Sequence, residues 1–227
     1  LNNIGRSGGA IYINNGNLIT NGGNITFYKN TVPSAGGAIY LRSQNNINFI
    51  NTDISFLHNS SLINGGAIYM NSPSTLIFNG GNYYFLGNSA ETTGPAGAAL
   101  QVSNIIIDNS SVITRLDFNN NQGNNILSFD SFDSSRACPE VDVSGCSNIY
   151  NFINNTYGKV PQVGTFPTAA LIYFTKNIFM GGGYWNFSDN TYISSSPTPD
   201  HHDNYTLLQP AGNLMCQTCK ISIRSAD

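Results

Sequence analysis

Six times along the chain a phenylalanine is followed three residues later by an asparagine, at Phe27/Asn30, Phe56/Asn59, Phe85/Asn88, Phe118/Asn121, Phe152/Asn155 and Phe187/Asn190. Successive phenylalanines are 29, 29, 33, 34 and 35 residues apart. A period of that length marks a stacked repeat array, and the drift means that the unit keeps its core and lengthens its loops toward the C-terminus. A second motif, Gly-Gly-Ala-Ile-Tyr, opens at Gly8, Gly36 and Gly65 and decays to Gly97-Ala98-Ala99-Leu100. Phe-x-x-Asn follows each opening by about twenty residues. This constrains the fold more than any other feature, because an array must be built from whatever one unit can form.

Periodicity identifies the unit. Two residues before each phenylalanine stand Ile25, Ile54, Tyr83, Leu116, Tyr150 and Trp185, with Thr26, Ser55, Tyr84, Asp117, Asn151 and Asn186 between. Apolar, mostly polar, apolar is period two, a strand with one buried face. Further short β-rich runs (17–20, 47–50, 75–78, 105–107) make each unit two or three strands separated by Gly and Asn turns. One such coil cannot bury its inward residues alone, but stacked coils pair equivalent strands in parallel and share one core. The predicted fold is all-β, a single-stranded parallel β-helix of about six coils over residues 1–193, roughly 29 Å long at a strand spacing of about 4.8 Å. Residues 194–227 are predicted as a Ser/Pro/His connector followed by a C-terminal strand or cap. The six phenylalanines are expected to stack inside, and the six asparagines to bond along the turns. Ile11, Ile39 and Ile68 are assigned inward, and Tyr12, Tyr40 and Tyr69 outward as a platform for sugars or a partner, with a core or corner packing role for the tyrosines as the alternative.

Composition narrows the function. Charged residues are 9% of the chain and the net charge is −3, so there is no electrostatic footprint for nucleic acid and no polybasic membrane patch. No apolar run approaches the length of a membrane span, and no insertion within these residues is expected. The chain opens on Leu1-Asn2-Asn3 with neither a start Met nor a signal peptide, as a mature or excised segment would. Asparagine, 34 of 227 residues, carries much of the polarity. Asn24, Asn59, Asn109, Asn154, Asn186 and Asn204 head Asn-x-Ser/Thr sequons. Two to four are expected to carry glycans in a eukaryotic host, with Asn59 bare if its amide is buried. The pairs Cys138/Cys146 and Cys216/Cys219 read as disulfides of an oxidising compartment. One Cys-x-x-Cys without a second ligand pair is a weak metal signal, so neither metal nor cofactor is expected.

Three complete pairs carry a resemblance: Gly8-Gly9-Ala10-Ile11 with Phe27-Tyr28-Lys29-Asn30, Gly36-Gly37-Ala38-Ile39 with Phe56-Leu57-His58-Asn59, and Gly65-Gly66-Ala67-Ile68 with Phe85-Leu86-Gly87-Asn88. They resemble the GGAI/FxxN repeat of the chlamydial polymorphic outer-membrane proteins, over about residues 8–190. The resemblance implies a right-handed β-helix on a cell surface with an adhesive role in which the two motifs themselves take part. The Asn-rich composition, the sequons, the Cys-x-x-Cys and the lack of an autotransporter barrel here point to a eukaryotic microbial relative.

An enzyme is the rival reading, since β-helices also host polysaccharide lyases and hydrolases. Glycoside hydrolysis needs two carboxylates facing one groove, yet Asp53, Asp108, Asp117 and Asp189 fall at different repeat positions. The densest acid group, Asp130, Asp133, Glu140 and Asp142, lies in the cysteine-bearing insertion and is expected to be a solvated loop, with Ca²⁺ binding the alternative. Asp200-His201-His202-Asp203 reads as a surface connector, and His58 as a turn residue. The expectation is a non-enzymatic extracellular or cell-surface module. Its partners are neighbouring repeats of a longer chain or further copies stacked end to end, and surface glycans.

Overall fold

The computed structural model describes residues 5–43, 45–71, 73–91, 97–108, 113–134, 148–158, 170–176, 178–181, 183–192, 206–210, 214–217 and 220–224. The first coil has four strands, β1 (Ile11–Ile13), β2 (Leu18–Asn21), β3 (Asn24–Tyr28) and β4 (Thr31–Val32). Each begins one of four sheets that run the length of the molecule, and every strand pairing within them is parallel. The first sheet continues through Ile39–Leu41, Ile68–Met70, Gly97–Gln101, Asn125–Phe129, Ala170–Phe174 and Thr206–Pro210. The third continues from β3 through Asp53–Leu57, Gly81–Leu86, Thr114–Asn119, Ile149–Ile153, Tyr184–Ser188 and Lys220–Arg224. No helix occurs among the described residues. The chain is a parallel β-helix.

Two features differ from the expectation. The unit has four strands where two or three were predicted, because the fourth, as in Ser60–Ser61, is two residues long and too short for a periodic signal. In the stretch read as a connector followed by a C-terminal strand or cap, three strands, Thr206–Pro210, Leu214–Gln217 and Lys220–Arg224, extend three of the sheets as a seventh rung. Ile223 pairs there with Phe187, and Ile221 with Trp185. The aromatic signature is lost while the apolar pattern persists.

The core follows from period two. In the third sheet Ile54, Phe56, Tyr83, Phe85, Leu116, Phe118, Tyr150, Phe152, Trp185 and Phe187 point inward and are buried. The repeat phenylalanines lie in register (Phe27↔Phe56, Phe56↔Phe85, Phe85↔Phe118, Phe118↔Phe152, Phe152↔Phe187). Their rings stack with centroids 4.8–5.1 Å apart and planes within 14°. Near-parallel planes at that separation are an offset stack, worth about 0.5–1.5 kcal/mol per pair beyond the area buried. The second sheet adds Ile47, Phe49, Leu76, Phe78, Ile105, Ile107, Phe132 and Ile178, and the first adds Ile39, Leu41, Ile68, Met70 and Leu100. The inward positions of the third sheet grow from Ile25 and Ile54 to Tyr83, Tyr150 and Trp185. Tyr83 buries its hydroxyl by sharing its one hydrogen between the carbonyls of Gly80 at 2.6 Å and Phe49 at 3.1 Å.

Candidate functional site

The two motifs lie close together in space and sequence. Gly36 follows Asn30, and Gly65 follows Asn59, by six residues. Phe-x-x-Asn therefore makes the corner between the third and fourth sheets, and Gly-Gly-Ala-Ile the corner between the fourth and the first.

At the first of these corners the residue before each asparagine takes the left-handed conformation: Lys29, His58, Gly87, Asn120, Asn154 and Asp189 have φ between 52° and 64°. This reversal turns the following asparagine inward, where Asn30, Asn59, Asn88, Asn121 and Asn155 are buried. Asn88 shows the pattern. Its Oδ1 accepts from the backbone N–H and Nδ2 of Asn59, both at 3.0 Å. Its Nδ2 donates to Oδ1 of Asn121 at 3.1 Å and to the carbonyl of Phe56 at 2.9 Å. The same bonds link Asn30 to Asn59, Asn121 to Asn155, and Asn155 to Asn190. Asparagine suits this position because it alone of the small polar residues offers an acceptor taking two bonds and a donor giving two. The left-handed position carries a sequence signal of its own, since Gly, Asn and Asp, the residues that adopt it most readily, fill four of the six positions.

The glycine corner is as constrained. Gly36 and Gly65 have φ of 69° and 59°, and a Cβ on either would come within 2.2–2.3 Å of the isoleucine carbonyl three residues on. The second glycine touches the next coil: a Cβ on Gly37 would lie 1.9 Å from the carbonyl oxygen of Gly66, and one on Gly66 would lie 2.2 Å from that of Ala98. Ala38, Ala67, Ile39 and Ile68 are buried. Apart from the tyrosine that ends the Gly motif and the two variable residues of Phe-x-x-Asn, the repeated residues of coils two and three are interior. A partner on the outside does not reach them.

The outer faces carry the rest. Tyr12, Tyr40 and Tyr69 pair in register on the first sheet and point outward, with Ile39 and Ile68 inward. Their rings stack at 5.3 Å with planes 11° and 21° apart. Each ring covers part of its neighbour's face, so the column shows solvent mainly ring edges and hydroxyls, a poorer sugar platform than open faces. Burial, the neighbouring Tyr40 and, in the opposite sense, a hydrogen bond with Asn64 leave the Tyr69 phenol with a raised pKa. Leu62 and Ile63 stand exposed on the corner before Asn64, and Thr31, Ser60, Ser89, Gln122, Thr156 and Thr191 face outward along the fourth sheet.

On the outside of the third sheet, Arg115 Nε meets Asp117 Oδ2 at 2.7 Å, Asn151 Nδ2 donates to Asp117 Oδ1 at 2.6 Å, and Asn186 Nδ2 to Asn151 Oδ1 at 3.3 Å. Asp117 is buried although it occupies an outward position. The other described carboxylates are dispersed. Asp53 accepts from Asn82, Asp130 accepts from Thr175 Oγ1 at 2.7 Å and lies 3.6 Å from Lys176 Nζ, and Asp189 accepts from Ser188. Asp117 and Asp133 stand on different sheets. Among the described residues no three His, Cys, Asp or Glu side chains gather as metal ligands. Glu140, Asp142 and the 200–203 string lie outside the described residues, as do Cys138, Cys146 and Cys219. Cys216 is placed through its backbone, paired with Met180.

Of the sequons, Asn24 is exposed on β3 and Asn154 exposed at its left-handed corner. Asn186 is half-buried with its amide engaged, and Asn59 is buried in the ladder. Asn109 and Asn204 lie outside the described residues.

Two stretches of the chain, residues 24–42 and 53–71, match a family model. The model is that of the Chlamydia polymorphic membrane protein repeat. Each match runs from the third-sheet strand through the Phe-x-x-Asn corner, the short fourth strand and the Gly-Gly corner to the first sheet. That is the segment the ladder and the glycine contacts constrain most. No curated protein and no solved structure matches the chain. No helix among the described residues is long and apolar enough to cross a membrane.

Proposed function

We propose that the chain is a non-enzymatic structural module of an extracellular or cell-surface assembly that presents its long outer faces for adhesion. The observation that supports this most is the absorption of both repeat motifs into core and corners, which leaves the weakly charged outer faces for contact with a partner. The match to a polymorphic membrane protein repeat agrees with a surface setting. The described carboxylates are dispersed, with Asp117 and Asp133 on different sheets, an arrangement unlike a paired acid and base. Beyond the first and last rungs the β-helix stacks on neighbouring repeats or on a second copy. Ile221 and Ile223, 48% and 64% exposed on the last described strand, supply the apolar contact.

The test is binding of the fluorescently labelled chain to cells and to a glycan array, with sedimentation to follow self-association. Adhesion predicts saturable binding that is lost on outer-face substitutions such as Tyr40→Ala with Leu62→Ser and Ile63→Ser, while circular dichroism is unchanged. Release of reducing ends or unsaturated products from a polysaccharide panel, abolished by Asp133→Asn, would replace this reading with an enzymatic one.

A further inference from the structure

Several tyrosines among the described residues stand apart from one another. Tyr28 pairs across the rungs with Leu57, Tyr84 with Ser55 and Asp117, Tyr173 with Ser128 and Gln209, and Tyr184 with Ile149 and Lys220. Tyr12, Tyr40 and Tyr69 are different: they are directly opposed on three consecutive rungs and stacked at 5.3 Å, with Tyr12 48% exposed and Tyr40 and Tyr69 partly buried. The other adjacent pair among the described residues, Tyr157 and Tyr192, meets edge to face at 64°, and Tyr157 is buried.

We propose that the Tyr12–Tyr40–Tyr69 column is a site of oxidative dityrosine cross-linking within one chain, driven by hydrogen peroxide and a one-electron peroxidase. The peroxidase takes one electron and one proton from each of two neighbouring phenols. The two radicals, with spin on the carbons ortho to oxygen, join through a new carbon–carbon bond. Each coupled ring then moves its ortho hydrogen to oxygen and regains its phenol. Two hydrogens leave the protein, and peroxide is reduced to two waters. The parallel register holds the partners on adjacent rungs, so coupling is intramolecular, at an effective concentration that dilute protein cannot match between molecules. Coupling requires two stacked rings to swing edge to edge. The product staples two adjacent coils, the first to the second or the second to the third, and closes one route by which a stack of coils can unzip. The site follows from the register and the ring geometry, and does not depend on the adhesive reading.

The test treats the dilute, intact chain with peroxidase and hydrogen peroxide. Expected is a monomer lighter by two hydrogens, dityrosine fluorescence independent of protein concentration, and a cross-linked peptide joining Tyr12 to Tyr40 or Tyr40 to Tyr69. Tyr40→Phe, which breaks both pairs, should lose the monomer cross-link. The double variant Tyr12→Phe with Tyr69→Phe should lose it too, so the result does not hang on one substitution. Tyr28→Phe with Tyr84→Phe and Tyr184→Phe should retain it. Dityrosine confined to dimers, a cross-linked peptide from other tyrosines, or a signal that survives Tyr40→Phe overturns the proposal.

Discussion

Replacing Asn88 with aspartate keeps the shape of the side chain and reverses half of its hydrogen bonding. The native amide accepts twice from Asn59 and donates to Asn121 Oδ1 and the Phe56 carbonyl, in a site that is 0% exposed. In Asn88→Asp the accepting oxygen remains, but the second oxygen faces two other oxygens at about the distances where Nδ2 had donated. Two buried bonds of about 1 kcal/mol each are lost, and burying the charge adds to this, so a deficit of at least about 3 kcal/mol is expected at neutral pH. Protonation lets the introduced carboxyl donate once, which raises its pKa in the folded protein above the ordinary value of about 3.9. The folded state then holds its proton to higher pH than the unfolded chain does. Stability from the protonated form is fully present below the unfolded pKa and is lost as pH rises through the folded one. The deficit against the native protein should therefore shrink on going from about pH 7 to about pH 4. Asn88→Ala provides the contrast. It leaves the Asn59 backbone N–H and one Nδ2 hydrogen without their acceptor, a cost of about 2–6 kcal/mol with no such pH dependence. A stacked array need not unfold in one step. Urea unfolding should accordingly be read together with hydrogen exchange in the peptides covering the second and third coils. An Asn88→Asp chain as stable as the native one at neutral pH, or a deficit equal at both pH values, refutes the bonding pattern of the ladder.

Two further outcomes follow from the corners and the surface. Gly66→Ala, whose Cβ would meet the carbonyl oxygens of Ala98 and Ser89 at 2.2 and 2.4 Å, should destabilise by more than about 3 kcal/mol in thermal or urea unfolding. Gly22→Ala, at φ 73° with no atom within 4 Å, should cost only the left-handed strain of about 1–2 kcal/mol. In folded protein secreted from a eukaryotic host, peptide mass spectrometry should find glycans at Asn24 and Asn154 and none at Asn59 or Asn186.

The third sheet was legible because its signal is chemical as well as periodic: an apolar residue, an outward residue, a phenylalanine and an asparagine recur with little change. The inward assignment of Ile39 and Ile68 rested on the same alternation. The fourth sheet was not legible, since Ser60–Ser61 and Ser89–Ala90 are too short to alternate. The seventh rung hid because Ile221 and Ile223 replace aromatic residues, so an apolar position survived without its signature. Asp117 shows a third limit. Its outward position was readable, but its burial depends on Arg115 in its own strand and on Asn151 one coil away, a pairing that appears only once the register is known. The tyrosine column was placed outward from the sequence, whereas its ring-on-ring stacking, which turns faces inward and edges outward, needed the structure.

The central claim is that the repeated motifs are the scaffold of a β-helix and that recognition belongs to its outer faces. Side-chain amide exchange of the asparagines, followed by NMR on ¹⁵N-Asn-labelled protein, tests it most directly. The account predicts slow exchange for the Nδ2 hydrogens of Asn59, Asn88, Asn121 and Asn155, and fast exchange for those of Asn24 and Asn154. Equally fast exchange in both sets would place the Phe-x-x-Asn asparagines at the surface and contradict it.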